Sequence, residues 1–175
     1  KYPKLTLDGV ELEWMEKIRF LGGYFTSQNS FAPYVDHICA SARRGLNLMR
    51  AVSGNNWGTH PKSLLNIYHA HVMSRLLYAG PLLTHLTDAQ TKKLGTIQAL
   101  ALKKVLGVPR WTPNTAVFAE TGQKPIELII KLRAATYYFK TLAQPDDHPA
   151  KHTLTTHYKH RTGRPTPPPS IQHTT

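Results

Sequence analysis

The segment FAPYVDHICASARRGLNLMR, residues 31–50, decides how this chain is read. Tyr34, Ile38, Ala42, Leu46 and Met49 return at spacings of three and four, which sets them along one face of an α-helix. Arg43, Arg44 and Arg50 fall largely off that stripe, with no acidic residue among them. A helix with an apolar back and a cationic flank is the expected unit, and the neighbouring segments are read by whether they repeat it.

Downstream they do. Ser53-Gly54-Asn55-Asn56 ends the first helix, and Thr59 is placed as the N-cap of the next, with Pro61 in its first turn. That helix is expected to run to about Ala79 with Leu64, Ile67, Tyr68, His71, Val72 and Leu76 inward, until Gly80-Pro81 stops it. Thr87 or Asp88 opens a third, carrying Leu94, Ile97, Leu100, Ala101, Val105 and Leu106 on its apolar face and closed by Gly107 and Pro109. Pro113-Asn114 starts a short helix ended by Gly122. Pro125 to Leu142 forms the last clear one, with Ile126, Ile129, Ile130, Leu132 and Phe139 as its core residues.

Upstream the period changes. Leu5-Thr6-Leu7 and Val10-Glu11-Leu12 flank Asp8-Gly9, a dipeptide suited to the positive φ angles of a type I′ hairpin. Ile18 to Phe25 reads as one further strand, in which Gly22-Gly23 marks a bulge or a close approach of another backbone. Ser27 to Ser30 reads as a turn. Past Gln144 the chain becomes Pro, His, Thr and Lys, ending in Pro165-Thr166-Pro167-Pro168-Pro169, a composition too poor in apolar residues to order itself. The expected fold is mainly α, with a small N-terminal antiparallel β element, a helical bundle and a disordered C-terminal tail. The expected divisions are a hairpin region over 1–30, helices over 31–143 and a tail over 144–175.

The charge balance narrows the function classes. Twenty-two Lys and Arg stand against 10 Asp and Glu, a formal net charge of +12. An excess of this size favours an anionic polymer or surface as partner. Cys39 is the sole cysteine, which excludes an intrachain disulfide and a Cys-based zinc cluster and fits a reducing, intracellular setting, nuclear or cytoplasmic. No apolar run reaches the roughly 18 residues that cross a bilayer, so no membrane partner is expected. The start, Lys1-Tyr2-Pro3-Lys4, has neither an initiator Met nor the apolar core of a secretion signal, and reads as the interior of a longer chain.

Catalytic patterns are not found. The adjacent aspartates Asp146-Asp147 sit in Gln-Pro-Asp-Asp-His-Pro without the apolar flanks of a polymerase metal turn, and read as a solvated linker. His148 with His152, and His157 with His160, have helical metal-ligand spacings but sit in the Pro-bounded tail, while His69 and His71 would point to different faces. No metal site is expected. Binding has more residues behind it. Arg43, Arg44 and Arg50, then Lys92, Lys93, Lys103 and Lys104 on one helix, then Lys131, Arg133 and Lys140, form rows that can track a phosphate backbone. Arg110-Trp111 and Asn56-Trp57 sit at helix ends, where an indole either stacks on a base or plugs the core beneath a loop, the plug being the more frequent outcome.

An ordered series of blocks adds a family resemblance. Arg19-Phe20-Leu21-Gly22, Asp36-His37-Ile38, Leu76-Leu77-Tyr78-Ala79-Gly80, Ile97-Gln98 with Ala101-Leu102-Lys103, and Glu120-Thr121-Gly122 before Pro125 resemble the stretch after the catalytic palm in reverse transcriptases of non-LTR (LINE-type) retrotransposons. The first block resembles the "K/R-F/Y-L-G" element of the primer grip, which implies that Phe20, Leu21, Gly22 and Gly23 lie near a primer end. The third resembles an "L-L-Y-G" helix end, from which Ala79 before Gly80 is a departure. The resemblance implies a helical thumb and connector that grips a template–primer duplex of RNA and DNA. Polymerisation would belong to a palm elsewhere in the parent polymerase, which would use magnesium. The family's palm aspartates and Cys/His knuckle have no counterpart here, so this chain alone is expected to be non-catalytic. A stand-alone basic helical module that binds an acidic protein is the alternative reading.

Overall fold

The structure, a computed structural model, describes residues 4–28, 30–54, 58–78, 80, 83 and 86–162. It is mainly helical, with two small antiparallel hairpins at the N-terminal end. Strands β1 (Leu5–Leu7) and β2 (Val10–Leu12) pair with Leu7 opposite Val10. Their turn residues Asp8 and Gly9 have φ of 51° and 80°, the pair of positive angles that a type I′ turn requires.

The segment expected as a single strand is instead a second hairpin, β3 (Lys17–Phe20) against β4 (Gly23–Thr26), with Phe20 opposite Gly23. Leu21 and Gly22 form its two-residue turn with φ of 47° and 81°. Gly22 accounts for half of this directly. Leu21 takes a positive φ that branched residues rarely adopt, so the turn is held by what surrounds it rather than by its own preference.

Two compact units divide the chain, Lys1–Ile130 and Lys131–Thr175. The first holds both hairpins, α1 (Ala32–Val52), α2 (Pro61–Tyr68), α3 (Ser74–Leu76), α4 (Asp88–Leu106), α5 (Asn114–Thr121) and the start of α6 (Ile126–Leu142). A wider π turn, His69–Met73, joins α2 to α3. The N-cap of α2 is His60 rather than Thr59: the His60 Nδ1 accepts from the Lys62 amide at 3.2 Å, while the Thr59 hydroxyl donates back to the Val52 carbonyl. The last helical residue is Leu76, three short of Ala79, with Leu77 and Tyr78 in a turn, and both Ala79 and Pro81 lie outside the described residues.

The core of the first unit is the stripe read from the sequence. Tyr34, Ile38, Ala42, Leu46 and Met49 are all buried, facing Leu64, Tyr68, Val72 and Leu76 on one side and Leu94, Ile97, Ala101 and Val105 on the other. Each large aliphatic side chain removed from water here contributes about 1.5–3 kcal/mol. Gly45 is where α1 crosses the π turn, so closely that a Cβ there would run into the His71 carbonyl. Helix α4 opens on a capping box between Thr87 and Gln90 and closes on Gly107 at φ 68°. The amide of Val108 reaches back to the Lys103 carbonyl at 3.0 Å. Inside α4, the buried Gln98 amide donates to the Tyr68 hydroxyl (3.1 Å) and the Lys124 carbonyl (2.9 Å), and its oxygen accepts from the Ile126 amide (2.7 Å). That fully satisfied side chain fixes where α6 begins.

In the second unit, α7 (Pro149–Thr162) occupies part of the stretch expected to be unordered. Pro149 opens it, and the Lys151 ammonium, which donates to the Gln144 carbonyl at 2.9 Å and pairs with Asp146 at 2.7 Å, ties its first turn to the preceding loop. Low apolar content still leaves a helix available where capping and backbone bonding suffice. Residues 163–175, with the proline run, lie outside the described residues. Two of the expected core residues of α6, Leu132 and Phe139, are exposed, whereas Ile126 and Ile130 are buried. Within the first unit, the start of α6 is anchored by those two isoleucines.

Candidate nucleic-acid interface

The cationic residues named from the sequence separate into distinct settings. Arg43 and Arg50 lie two helical turns apart on the flank of α1, and Lys93 faces them from α4. Together with Arg110 they rim a groove of about 480 Å3 between the two helices, floored by Leu46, Ile97 and Leu100. No carboxylate lines it among the described residues. Lys93 reaches Asp36 at 3.0 Å at the edge, and Asn47 Oδ1 accepts from Arg50 at 3.2 Å. Arg44 is exposed on α1 outside the groove. Lys92 faces a separate cleft of about 430 Å3 beside Asp88, Thr91 and Glu127.

Lys103 belongs to the fold instead. It is buried, and its ammonium donates to the Arg110 carbonyl at 2.7 Å, which pins the loop after α4. A cation in the last turn also opposes the negative end of the helix dipole. Lys104 is half-buried beside that same loop, where it lines an open cleft of about 970 Å3 with Arg110 and Trp111. Trp111 is 86% exposed, so it is no core plug. The loop pinned by Lys103 presents the indole to solvent, a geometry open to ring stacking. Trp57 lies outside the described residues.

The glycine-bearing hairpin is built onto the helices by a chain of tyrosines. The Tyr34 hydroxyl donates to the Tyr78 carbonyl and the Tyr78 hydroxyl donates to the Leu21 carbonyl, both at 2.6 Å. Gly22 sits on the Tyr78 ring so closely that a Cβ would lie 3.3 Å from it. Gly23 is buried; Phe20 and Leu21 project outward, Leu21 with 78% of its surface exposed. Burial pushes the Tyr34 hydroxyl up to about 12, with the Tyr78 hydroxyl adding to the rise. Tyr24 on β4 receives Lys17 over its ring at 4.4 Å and packs edge-on against His37 of α1 at 5.1 Å. Nothing in residue spacing alone pairs Tyr34, Tyr78 and Leu21; the contact is long-range, and only the side-chain types hint at it.

Among the described residues no three His, Cys, Asp or Glu side chains come together to hold a metal ion. Asp146 is fully exposed, with its carboxyl held below the usual range by the hydrogen bond from Lys151 and that ammonium's charge. Burial raises the Cys39 thiol. No helix among the described residues is long and apolar enough to cross a membrane. Comparison with family models, with curated proteins and with solved structures finds no match to this chain.

Proposed function

We propose that this chain grips nucleic-acid duplex as a non-catalytic thumb-and-connector piece of a LINE-type reverse transcriptase. The observation that carries the reading is the α1–α4 groove, where Arg43, Arg50, Lys93 and Arg110 surround one channel that no carboxylate lines among the described residues. Guanidinium and ammonium groups in that arrangement contact backbone phosphates without reading bases. Trp111, next to Arg110 in the chain and exposed at the separate cleft it lines with Lys104, supplies an aromatic face for an unpaired base. Leu5, Leu7, Val10 and Leu12, all exposed on the first hairpin, support a protein neighbour as well, the rest of the parent polymerase. That neighbour would hold the magnesium and the catalytic carboxylates, and the assembly would work inside the cell, in nucleus or cytoplasm.

The test is binding of an RNA–DNA duplex, followed by fluorescence anisotropy across a salt series. Four phosphate contacts would give a log–log slope of about 3 to 4 in magnitude. The triple change Arg43→Gln, Arg50→Gln and Lys93→Gln should flatten that slope and weaken binding throughout. An unchanged affinity removes the groove from the reading. Efficient nucleotide incorporation by the isolated chain removes its non-catalytic half, and displacement of the duplex by an acidic protein but not by heparin favours the acidic-partner alternative.

A further inference from the structure

A second cationic cleft lies on the other flank of α1, away from the groove. It has a volume of about 470 Å3 and is bounded by Arg19 and Gly22 from the second hairpin, His37 and Ser41 from α1, and Arg75 and Tyr78 from the end of the α2–α3 segment. No carboxylate lines it among the described residues. Asp36, the acidic neighbour of His37 in sequence, is turned to Lys93 instead.

Each cation here is held by a separate contact. Arg75 Nη1 donates to the Ser41 carbonyl at 2.9 Å, which fixes one edge of its guanidinium and leaves the remaining donors of the fork to the cleft. Arg19 lies over the Tyr24 ring at 5.9 Å, and the His37 ring abuts the same tyrosine. The hairpin that carries Arg19 is itself fixed by the bond from Tyr78 to Leu21. Two permanent charges and an imidazole are thus pre-positioned around one space, and such an arrangement binds an oxyanion without a large ordering cost.

We infer that this cleft is a seat for a phosphate dianion, the form carried by a terminal phosphomonoester on a nucleic-acid end or by a nucleotide. Two fixed positive charges match two negative ones, whereas an internal phosphodiester carries only one. The inference stands apart from the groove, since the chain could seat phosphate here whether or not it holds duplex.

The experiment is an NMR titration of the full chain with inorganic phosphate at constant ionic strength, following the side-chain N–H signals of Arg19 and Arg75 and the ring of His37. Saturable shifts confined to these three groups are expected, with dimethyl phosphate, a monoanion, producing little. Arg19→Gln, on an exposed strand, should weaken phosphate about tenfold, the loss of one charge-assisted hydrogen bond. Arg75→Lys, which keeps the charge and loses the fork, should weaken it as well. The groove variant Arg43→Gln/Arg50→Gln, which keeps the Lys93–Asp36 pair in place, should leave the titration unchanged, so failure of the duplex reading and failure of this one are separable. Duplexes ending in a 5′ phosphate or a 5′ hydroxyl then identify the source: a preference for the phosphorylated end assigns the seat to strand termini, and equal binding with retained inorganic-phosphate shifts assigns it to free nucleotides. Shifts spread evenly over all arginines, equal response to dimethyl phosphate, or an unchanged affinity in both Arg19→Gln and Arg75→Lys would overturn the proposal.

Discussion

The two hairpins share a design and differ in fate. Both are short antiparallel pairs closed by two residues at positive φ, Asp8-Gly9 in one and Leu21-Gly22 in the other. Every residue of β1 and β2 is exposed, while β4 buries Gly23 and half-buries Tyr24 against α1. A lone two-stranded hairpin is marginal in water. Turn chemistry therefore draws the hairpin, and docking decides whether it stays. The second has three devices the first lacks: a bare glycine face for the Tyr78 ring, a backbone carbonyl for its hydroxyl, and Tyr24 wedged beside His37.

The largest disruption should come from beneath that dock. Gly45→Ala forces α1 away from the π turn at His71, and the cost, about 3 kcal/mol, should appear as a lowered denaturant midpoint with loss of amide protection in the second hairpin. A midpoint within error of wild type would mean that the crossing relaxes freely. Next in size is a matched pair. Gly22→Ala and Gly9→Ala impose the same positive-φ strain, about 1 kcal/mol, but a Cβ at Gly22 also meets the Tyr78 ring at 3.3 Å, whereas at Gly9 it meets open space within 4 Å. Gly22→Ala should lower the thermal midpoint of the whole unit, and Gly9→Ala should only loosen its own hairpin, as read by hydrogen exchange. Equal global losses would mean that the first hairpin is docked as firmly as the second.

Alkali gives another handle on the same asymmetry. Burial pushes Tyr34 and Tyr68 each up to about 12, in Tyr68 against a lowering contribution from the Gln98 hydrogen bond. Unfolded tyrosines ionise near 10. The fold thus holds two hydroxyls protonated that the unfolded chain would release, so their stabilising effect is full below about pH 10 and is lost as pH rises through about 12. Urea midpoints should fall across that window, and the double change Tyr34→Phe/Tyr68→Phe should flatten the fall. Since Tyr34 bonds the Tyr78 carbonyl, the second hairpin should lose protection before the first changes.

How much of this could be read from residue order depends on how local its cause is. The stripe Tyr34, Ile38, Ala42, Leu46 and Met49, the cap at Thr87, the stops at Gly107 and Gly122, and the Asp8-Gly9 turn all follow from neighbours within a few positions, and each is where the spacing puts it. The Leu21-Gly22 turn is not legible in the sequence because leucine disfavours the angle it takes, and a residue 57 positions away holds it there. The same limit applies to the cations. Arg43, Arg50, Lys93 and Arg110 are visible as charges, but only helix packing brings them around one groove. Lys103 shows the converse, a residue with the right charge spent on its own loop. The cleft of Arg19, His37 and Arg75 draws on three separated segments, so no pattern along the chain announces it.

The smallest effects separate the contacts that hold the hairpin tip. Tyr78→Phe keeps the ring under Gly22 and removes the hydroxyl bonded to the Leu21 carbonyl, a loss of about 1 kcal/mol, because that bond is partly replaced by water at an exposed site. Faster hydrogen exchange in β3 and β4 with little change in the helices is the expected result. Leu21→Asn acts in the opposite direction. Asparagine accepts positive φ, and Asn-Gly is the favoured type I′ pair, so the tip should gain a few tenths of a kcal/mol up to about 1 kcal/mol without help from Tyr78. Combined with Tyr78→Phe, it should restore most of the lost protection. If Leu21→Asn leaves the tip no more protected, the leucine is carrying no strain, and the second hairpin owes its place to the glycines and Tyr24 alone.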